Sequence, residues 1–155
     1  MSPKKKSHPT FTDSRGTFTA IDTSFLNEDW NQVNVVVNNN RFTFRGLHYQ
    51  TNPPQTKCIK VIDGKILDIL VDLKTREVKT FELDNTEFLH IPDNYAHGYL
   101  TLSDKAIVTY LVRGDYNPES EHSIVWNTIP QVKTIVESNL QGCHLWISEK
   151  DELGK

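Results

Sequence analysis

Cysteine is scarce: Cys58 and Cys143 are the two in 155 residues. They lie far apart, with no Cys-x-x-Cys spacing, so neither a disulfide framework nor a zinc site is expected. Two reduced structural thiols fit a cytoplasmic protein. Long apolar runs are missing as well. The longest, residues 35–37 and 69–71, are strand-sized and far short of a span, so no membrane partner is expected. Excess positive charge is also lacking. Seventeen Lys and Arg against twenty Asp and Glu, a net charge of −3, provide no basic face for nucleic acid. The one basic tract, Lys4-Lys5-Lys6, has no apolar segment behind it and does not read as a secretory leader. Residues 1–10 are therefore expected to be a solvated, disordered basic tail, ahead of a single domain over residues 11–155.

Helical periodicity is thin, confined to residues 23–30 and 130–138. What the chain has is β pattern. Residues 65–73 alternate, with Leu67, Ile69, Val71 and Leu73 on one face and Ile66, Asp68, Leu70 and Asp72 on the other. Short β-branched or aromatic runs recur at 33–37, 58–62, 78–83, 88–91, 106–112 and 123–126. Turn signals separate them: Asn38-Asn39-Asn40, Asn52-Pro53-Pro54, Asp63-Gly64, Asp84-Asn85, Pro92-Asp93-Asn94 and Asn117-Pro118. Asp63-Gly64 has the form of a two-residue hairpin turn. Many short strands at close spacing predict an all-β, antiparallel sandwich or barrel.

Four pieces carry chemistry-bearing side chains. In Arg45-Gly46-Leu47-His48-Tyr49-Gln50, an extended backbone puts His48 and Gln50 on one face. Histidine, with an unperturbed pKa of about 6.5, is the side chain best suited to proton transfer near neutrality. In Ile91-Pro92-Asp93-Asn94-Tyr95-Ala96-His97-Gly98-Tyr99, a turn leads into a strand with His97 and Tyr99 on one face. Tyr110 alternates with Val108 and Val112 in an apolar strand, and Ser148-Glu149-Lys150-Asp151 lies near the C-terminus. Taken singly, each also fits a packed or solvated role.

In order along the chain, these pieces resemble the signature of the dTDP-4-dehydrorhamnose 3,5-epimerases. The matching segments are Asp13-Ser14-Arg15-Gly16-Thr17-Phe18, the Arg45–Gln50 piece, Lys57 with the segment after it, and Asp68 to Lys74. The His97 piece, Tyr110 with Tyr116-Asn117-Pro118-Glu119, Ile124-Val125-Trp126-Asn127 and the terminal Ser-Glu-Lys-Asp follow. The likeness runs from about Phe11 to Asp151. Ala20 departs from it, standing where many relatives carry Glu.

The resemblance implies a cupin or jelly-roll-type β-barrel and an isomerase acting on a nucleotide sugar. It implies inversion at C3, or at C3 and C5, of a nucleoside-diphosphate 4-keto-6-deoxyhexose in deoxysugar biosynthesis. Both carbons flank the ketone, so the chemistry needs a base, an acid on the opposite face and a charge to hold the enolate oxygen. It calls for no cofactor and no metal. Carried over by residue, His48 is the base, Asp151 the carboxylate that orients it, Tyr110 the acid and Lys57 the cation near the enolate. Arg15 and Arg45 are expected on the diphosphate, since guanidinium pairs bidentately with phosphate. Phe18, Asn34, Gln50, His97 and Tyr116 are the remaining substrate contacts. The Arg15 and Phe18 positions lie near the family's dimer interface, which implies a homodimer. Three alternatives stand beside this reading. A metal-dependent cupin is disfavoured because Gln50 stands where a His-x-His pair would need its second imidazole. A dTDP-sugar 3,4-ketoisomerase and a sugar-nucleotide-binding cupin without catalysis are the others.

Overall fold

The protein was analysed as a computed structural model, which describes residues 1–20 and 29–155. Along the chain run β1 (Lys4–Ser7), β2 (Thr10–Asp13), β3 (Gly16–Thr19), β4 (Gln32–Asn38), β5 (Thr43–Gln50), β6 (Thr56–Asp63) and β7 (Ile66–Asp72). There follow β8 (Val78–Leu83), β9 (Glu87–Ile91), β10 (Tyr95–Thr101), β11 (Ala106–Arg113), β12 (Glu121–Ser123), α1 (Pro130–Leu140), β13 (Trp146–Ile147) and α2 (Glu149–Leu153). The expected helix at 23–30 lies for the most part outside the described residues. Among the described residues, no helix is long and apolar enough to cross a membrane.

Two sheets form the body. One has the order β1-β9-β6-β11-β4; the other runs β12-β5-β10-β7-β8, with β13 added in parallel to β5. The alternation read in residues 66–72 explains how β7 sits. Ile66 and Leu70 turn to a core between the sheets with Ile59, Val61, Leu89 and Val108. Ile69 and Val71 turn outward, where α1 covers them with Val132, Val136 and Leu140. Both faces of β7 are thus buried, which is why it reads as a nearly continuous apolar run.

Three expectations need correction. The Asp63-Gly64 turn does not join a hairpin: β6 and β7 belong to different sheets. Gly64, at a φ of 84°, instead makes a corner that crosses the core. The following residue is tied to the next crossing, with Lys65 N–H donating to Ser103 Oγ at 2.9 Å and Leu102 N–H to the Lys65 carbonyl at 2.9 Å. The basic tract is not a disordered tail but strand β1, paired antiparallel to β9 from Lys4↔His90 to Ser7↔Glu87. An unpaired strand edge offers a ladder of backbone groups to any extended segment, and lysine is a customary residue on such an edge. Lys5 adds an ion pair to Glu87 at 2.6 Å. The last run, expected at 123–126, is displaced: the strand is β12 at Glu121–Ser123, and residues 126–128 form a 3-10 turn against α1.

Candidate active site

The site forms where the ends of β5, β6, β11 and β4 meet around a cavity of about 250 Å³. Antiparallel pairing sets its walls. Tyr110 on β11 faces Asn34 on β4, Val112 faces Lys57 on β6, and His97 on β10 faces His48 on β5. Between His97 and Tyr99 the register slips, so that three steps of β5, from Arg45 to His48, oppose two of β10. This bulge puts Arg45 on the same face as His48, a side that simple alternation would deny it. Glycine permits the close approach there. A Cβ on Gly98 would lie 2.6 Å from the Arg45 carbonyl oxygen, and one on Gly46 would lie 2.5 Å from the Gly98 Cα.

Asp151 reaches His48 by a short chain of local causes. Pairing of Trp146 and Ile147 with Thr43 and Phe44 lays the C-terminal segment along β5. Ser148 then caps α2, its Oγ accepting from the Asp151 N–H at 3.2 Å. That turn aims the Asp151 side chain, only 7% exposed, back at β5. One carboxylate oxygen lies 2.6 Å from His48 Nε2, and the other accepts the Gly46 N–H at 3.1 Å. Burial alone would push this carboxyl up. The hydrogen bond and charge of His48, the Gly46 N–H and the Lys150 ammonium outweigh it, holding Asp151 below the usual carboxylate range. Asp151 is thus an anion at neutral pH and accepts from His48 Nε2, which leaves Nδ1 as the ring nitrogen free to take a proton in the neutral tautomer.

The other walls present a phenol and a lysine amine. Burial raises the Tyr110 hydroxyl above the ordinary phenol range, against the pull of Arg45 and Asn34. It therefore stays protonated at neutral pH. Burial lowers the Lys57 ammonium, with the charges of Asp68 and Glu121 acting the other way. Tyr99, deeper in the core, is pushed up to about 12, chiefly by burial.

Of the residues singled out from sequence, His48, Lys57, Tyr110, Asn34 and Tyr116 line this cavity, and Asp151 stands behind His48. Arg45 does not line it: its Nε donates to Asn38 Oδ1 at 2.8 Å, and it lines a second cavity with Asp151. Gln50 is not free for a ligand. Its amide donates to the Pro53 and Asp115 carbonyls at 2.6 and 2.8 Å and accepts the Asn117 N–H at 2.9 Å, fixing the loop that presents Tyr116. His97 is buried and pairs with Asp68 at 3.1 Å, behind the cavity wall. Arg15 and Phe18 are the clearest separation from the site. Both project from the β2–β3 hairpin, where Arg15 pairs with Asp13 at 2.6 Å and Phe18 is 67% exposed. Sequence reasoning missed Gln32, Gln55 and Glu121, which also line the cavity. Strand parity was the available signal for Gln32 and Gln55, which stand two residues from Asn34 and Lys57; Glu121 enters only through the pairing of β12 with β5, opposite Gln50. Glu121 accepts from Tyr116 Oη at 3.3 Å and Lys150 Nζ at 3.1 Å, tying α2 to the cavity wall. Among the described residues, no group of three or more His, Cys, Asp or Glu could hold a metal ion.

Comparison with known proteins places this geometry in context. Residues 6–155 match the family model described as dTDP-4-dehydrorhamnose 3,5-epimerase. The chain is 35% identical over 130 residues to the dTDP-4-dehydrorhamnose 3,5-epimerase of Methanothermobacter thermautotrophicus, covering 76% of this chain and 70% of that protein. Against the Neisseria gonorrhoeae enzyme of the same name it is 33% identical over 133 residues, 76% of this chain but 39% of the relative's length. The solved Legionella pneumophila dTDP-6-deoxy-D-glucose-3,5-epimerase, in complex with dTDP-4-keto-L-rhamnose, superposes with a TM-score of 0.81 at 26% identity, covering 99% of this chain and 86% of that one. A Bacillus anthracis dTDP-4-dehydrorhamnose 3,5-epimerase with TDP and PPi bound gives 0.80 at 28%, covering 99% and 93%.

Proposed function

We propose that this chain, which belongs to the dTDP-4-dehydrorhamnose 3,5-epimerase family, inverts C3, C5 or both of a dTDP-linked 4-keto-6-deoxyhexose in deoxysugar biosynthesis. The observation that carries the reading is the His48–Asp151 pair at 2.6 Å on the wall of a cavity shared with Lys57 and Tyr110. A proton on carbon beside a ketone is acidic only because its removal leaves an enolate. His48, oriented by Asp151, takes that proton and becomes an imidazolium that the carboxylate stabilises. The Lys57 ammonium meets the charge that develops on the ketone oxygen, in a half-buried setting where a fixed charge is worth more than in water. Tyr110, protonated and on a different strand, returns a proton to the other face of the ring. The net change is an inverted centre, with no change of oxidation state, so the reaction class needs neither a redox cofactor nor a metal.

The same reading makes the active form a homodimer. Val33, Val35 and Val37 form an apolar stripe, 48–68% exposed, on β4 at the edge of its sheet. The β2–β3 hairpin displays Phe11 and Phe18, 61% and 67% exposed, with Arg15 at its tip. A second copy that covers the stripe with its hairpin would bury both surfaces and bring Arg15 to the diphosphate of the neighbouring site. Two cysteines outside any disulfide, one buried and one exposed, support the cytoplasm as its compartment.

The test is proton exchange. Incubated in deuterium oxide with a dTDP-4-keto-6-deoxyhexose, the protein should place deuterium at C3, at C5 or at both, read by NMR of the sugar. Tight binding of the sugar nucleotide without label uptake would refute catalysis and leave a binding protein.

A further inference from the structure

A second histidine–carboxylate pair lies behind the cavity, and the reaction outlined above does not use it. Asp68 on β7 is fully buried; its Oδ2 accepts from His97 Nε2 at 3.1 Å. Among the described residues, its Oδ1 has no hydrogen-bond partner. A buried carboxylate with one oxygen unsatisfied is costly unless a positive charge faces it. Asp68 shares the face of Ile66 and Leu70, which points to the space between the sheets. Lys57 shares the face of Ile59 and Val61 and enters the same space from the opposite sheet. The charge of Asp68 is the largest influence opposing the desolvation of Lys57, ahead of Glu121.

The groups around Lys57 leave Asp68 in a distinct position. From β5 and β11 come His48 and Tyr110, and from β12 comes Glu121. On β10, His97 and Tyr99 flank Asp68, with Tyr99 directly across from it, while the β9 residue opposite Lys57 is the uncharged Ile91. Of the two carboxylates, Glu121 is already engaged by Tyr116 and Lys150.

We propose that Asp68, pinned by His97, is the buried counter-charge that keeps Lys57 cationic behind the substrate ketone. It is a positioning residue that acts through Lys57, and its role rests on the epimerase reading. The decisive measurement is the titration of the Lys57 side chain, followed by NMR of labelled lysine without substrate and assigned with Lys57→Met. In Asp68→Asn, the Lys57 midpoint should fall by about one pH unit or more, whereas Asp68→Glu should hold it within about half a unit. An unmoved midpoint in folded Asp68→Asn overturns the proposal. Should Asp68→Asn alone unfold, adding Lys57→Met should restore folding, because the uncompensated ammonium is then the cause; no rescue also overturns it. In the exchange assay, the alkaline limb of the Asp68→Asn rate should move down with Lys57, leaving the rate at pH 6 within a few-fold of the parent. A uniform loss at every pH marks a merely structural role and refutes the assignment. Since the titration needs no turnover, it stands apart from a failure of the exchange assay itself.

Discussion

Replacing Asp151 with Asn changes one atom in shape and removes both a charge and an acceptor. The amide cannot accept from His48 Nε2 through its NH2 group, and turning its carbonyl to His48 sets that NH2 against the Gly46 N–H, now accepted at 3.1 Å. One of the two contacts is lost in either orientation. The lost bond is charge-assisted and buried, which corresponds to about 1.5–3 kcal/mol of stability. For a domain of this size that is a melting temperature lower by about 3–12 °C. The effect on catalysis should be larger, because the imidazole loses both its fixed tautomer and the partner of its cationic form. Exchange should slow by about 100- to 10,000-fold, or roughly 3–5 kcal/mol of transition-state stabilisation. The pH dependence has a definite sign. Asp151 has a folded pKa below its unfolded value of about 3.9, so its contribution is complete above that value and disappears as pH falls through the folded pKa. The melting-temperature gap between parent and Asp151→Asn should therefore be full at pH 7 and close below about pH 4. Scanning calorimetry across that range, with deuterium exchange at pH 7, checks both halves. A variant within three-fold of the parent rate, or a gap that stays constant down to pH 3, refutes the assignment.

Other substitutions test the remaining parts. Tyr110→Phe should keep proton removal by His48 but lose the proton donor, so label uptake persists while the yield of inverted sugar falls, as separate NMR integrals will show. Arg15→Ala and His48→Ala should each be inactive alone. Subunit exchange between them should recover about a quarter of parental activity, because half the dimers then carry one intact site; no recovery would disprove the shared site. Gly98→Ala should destabilise the fold by about 1–3 kcal/mol, since its Cβ meets the Arg45 carbonyl oxygen, and a melting temperature equal to the parent's would show that β5 can yield there.

Much of this architecture was legible in local pattern. Strands β4, β6, β7, β8, β9 and β11 appear as alternating or β-branched runs; in β6, β7, β9 and β11 the reason is burial of at least one side-chain face, whereas the valines that reveal β4 stay exposed. Helix α1, expected over residues 130–138, runs from Pro130 to Leu140 and buries Val132, Val136 and Leu140. Strand β1 was illegible, because its pairing with β9 uses backbone groups and leaves all four side chains exposed. The turn at Gly64 was read correctly as a turn and wrongly as a hairpin. A glycine records that the chain reverses locally, whereas the sheet it enters depends on which core face the next strand must bury.

The sequence by itself determined the kinds of groups in the site: an imidazole, a carboxylate, a phenol and an ammonium, in an order that resembled one family. For Tyr110 it also indicated the strand, through alternation with Val108 and Val112. Only the tertiary structure decided their distances. Asp151 lies 103 positions from His48, and it is the parallel pairing of β13 with β5 that closes the gap to 2.6 Å. The bulge beside Gly98 brought Arg45 round to the face of His48, while Gln50 was drawn into the scaffold. Such contacts arise from backbone hydrogen bonding between distant segments, and that pairing leaves little trace in the residues it joins.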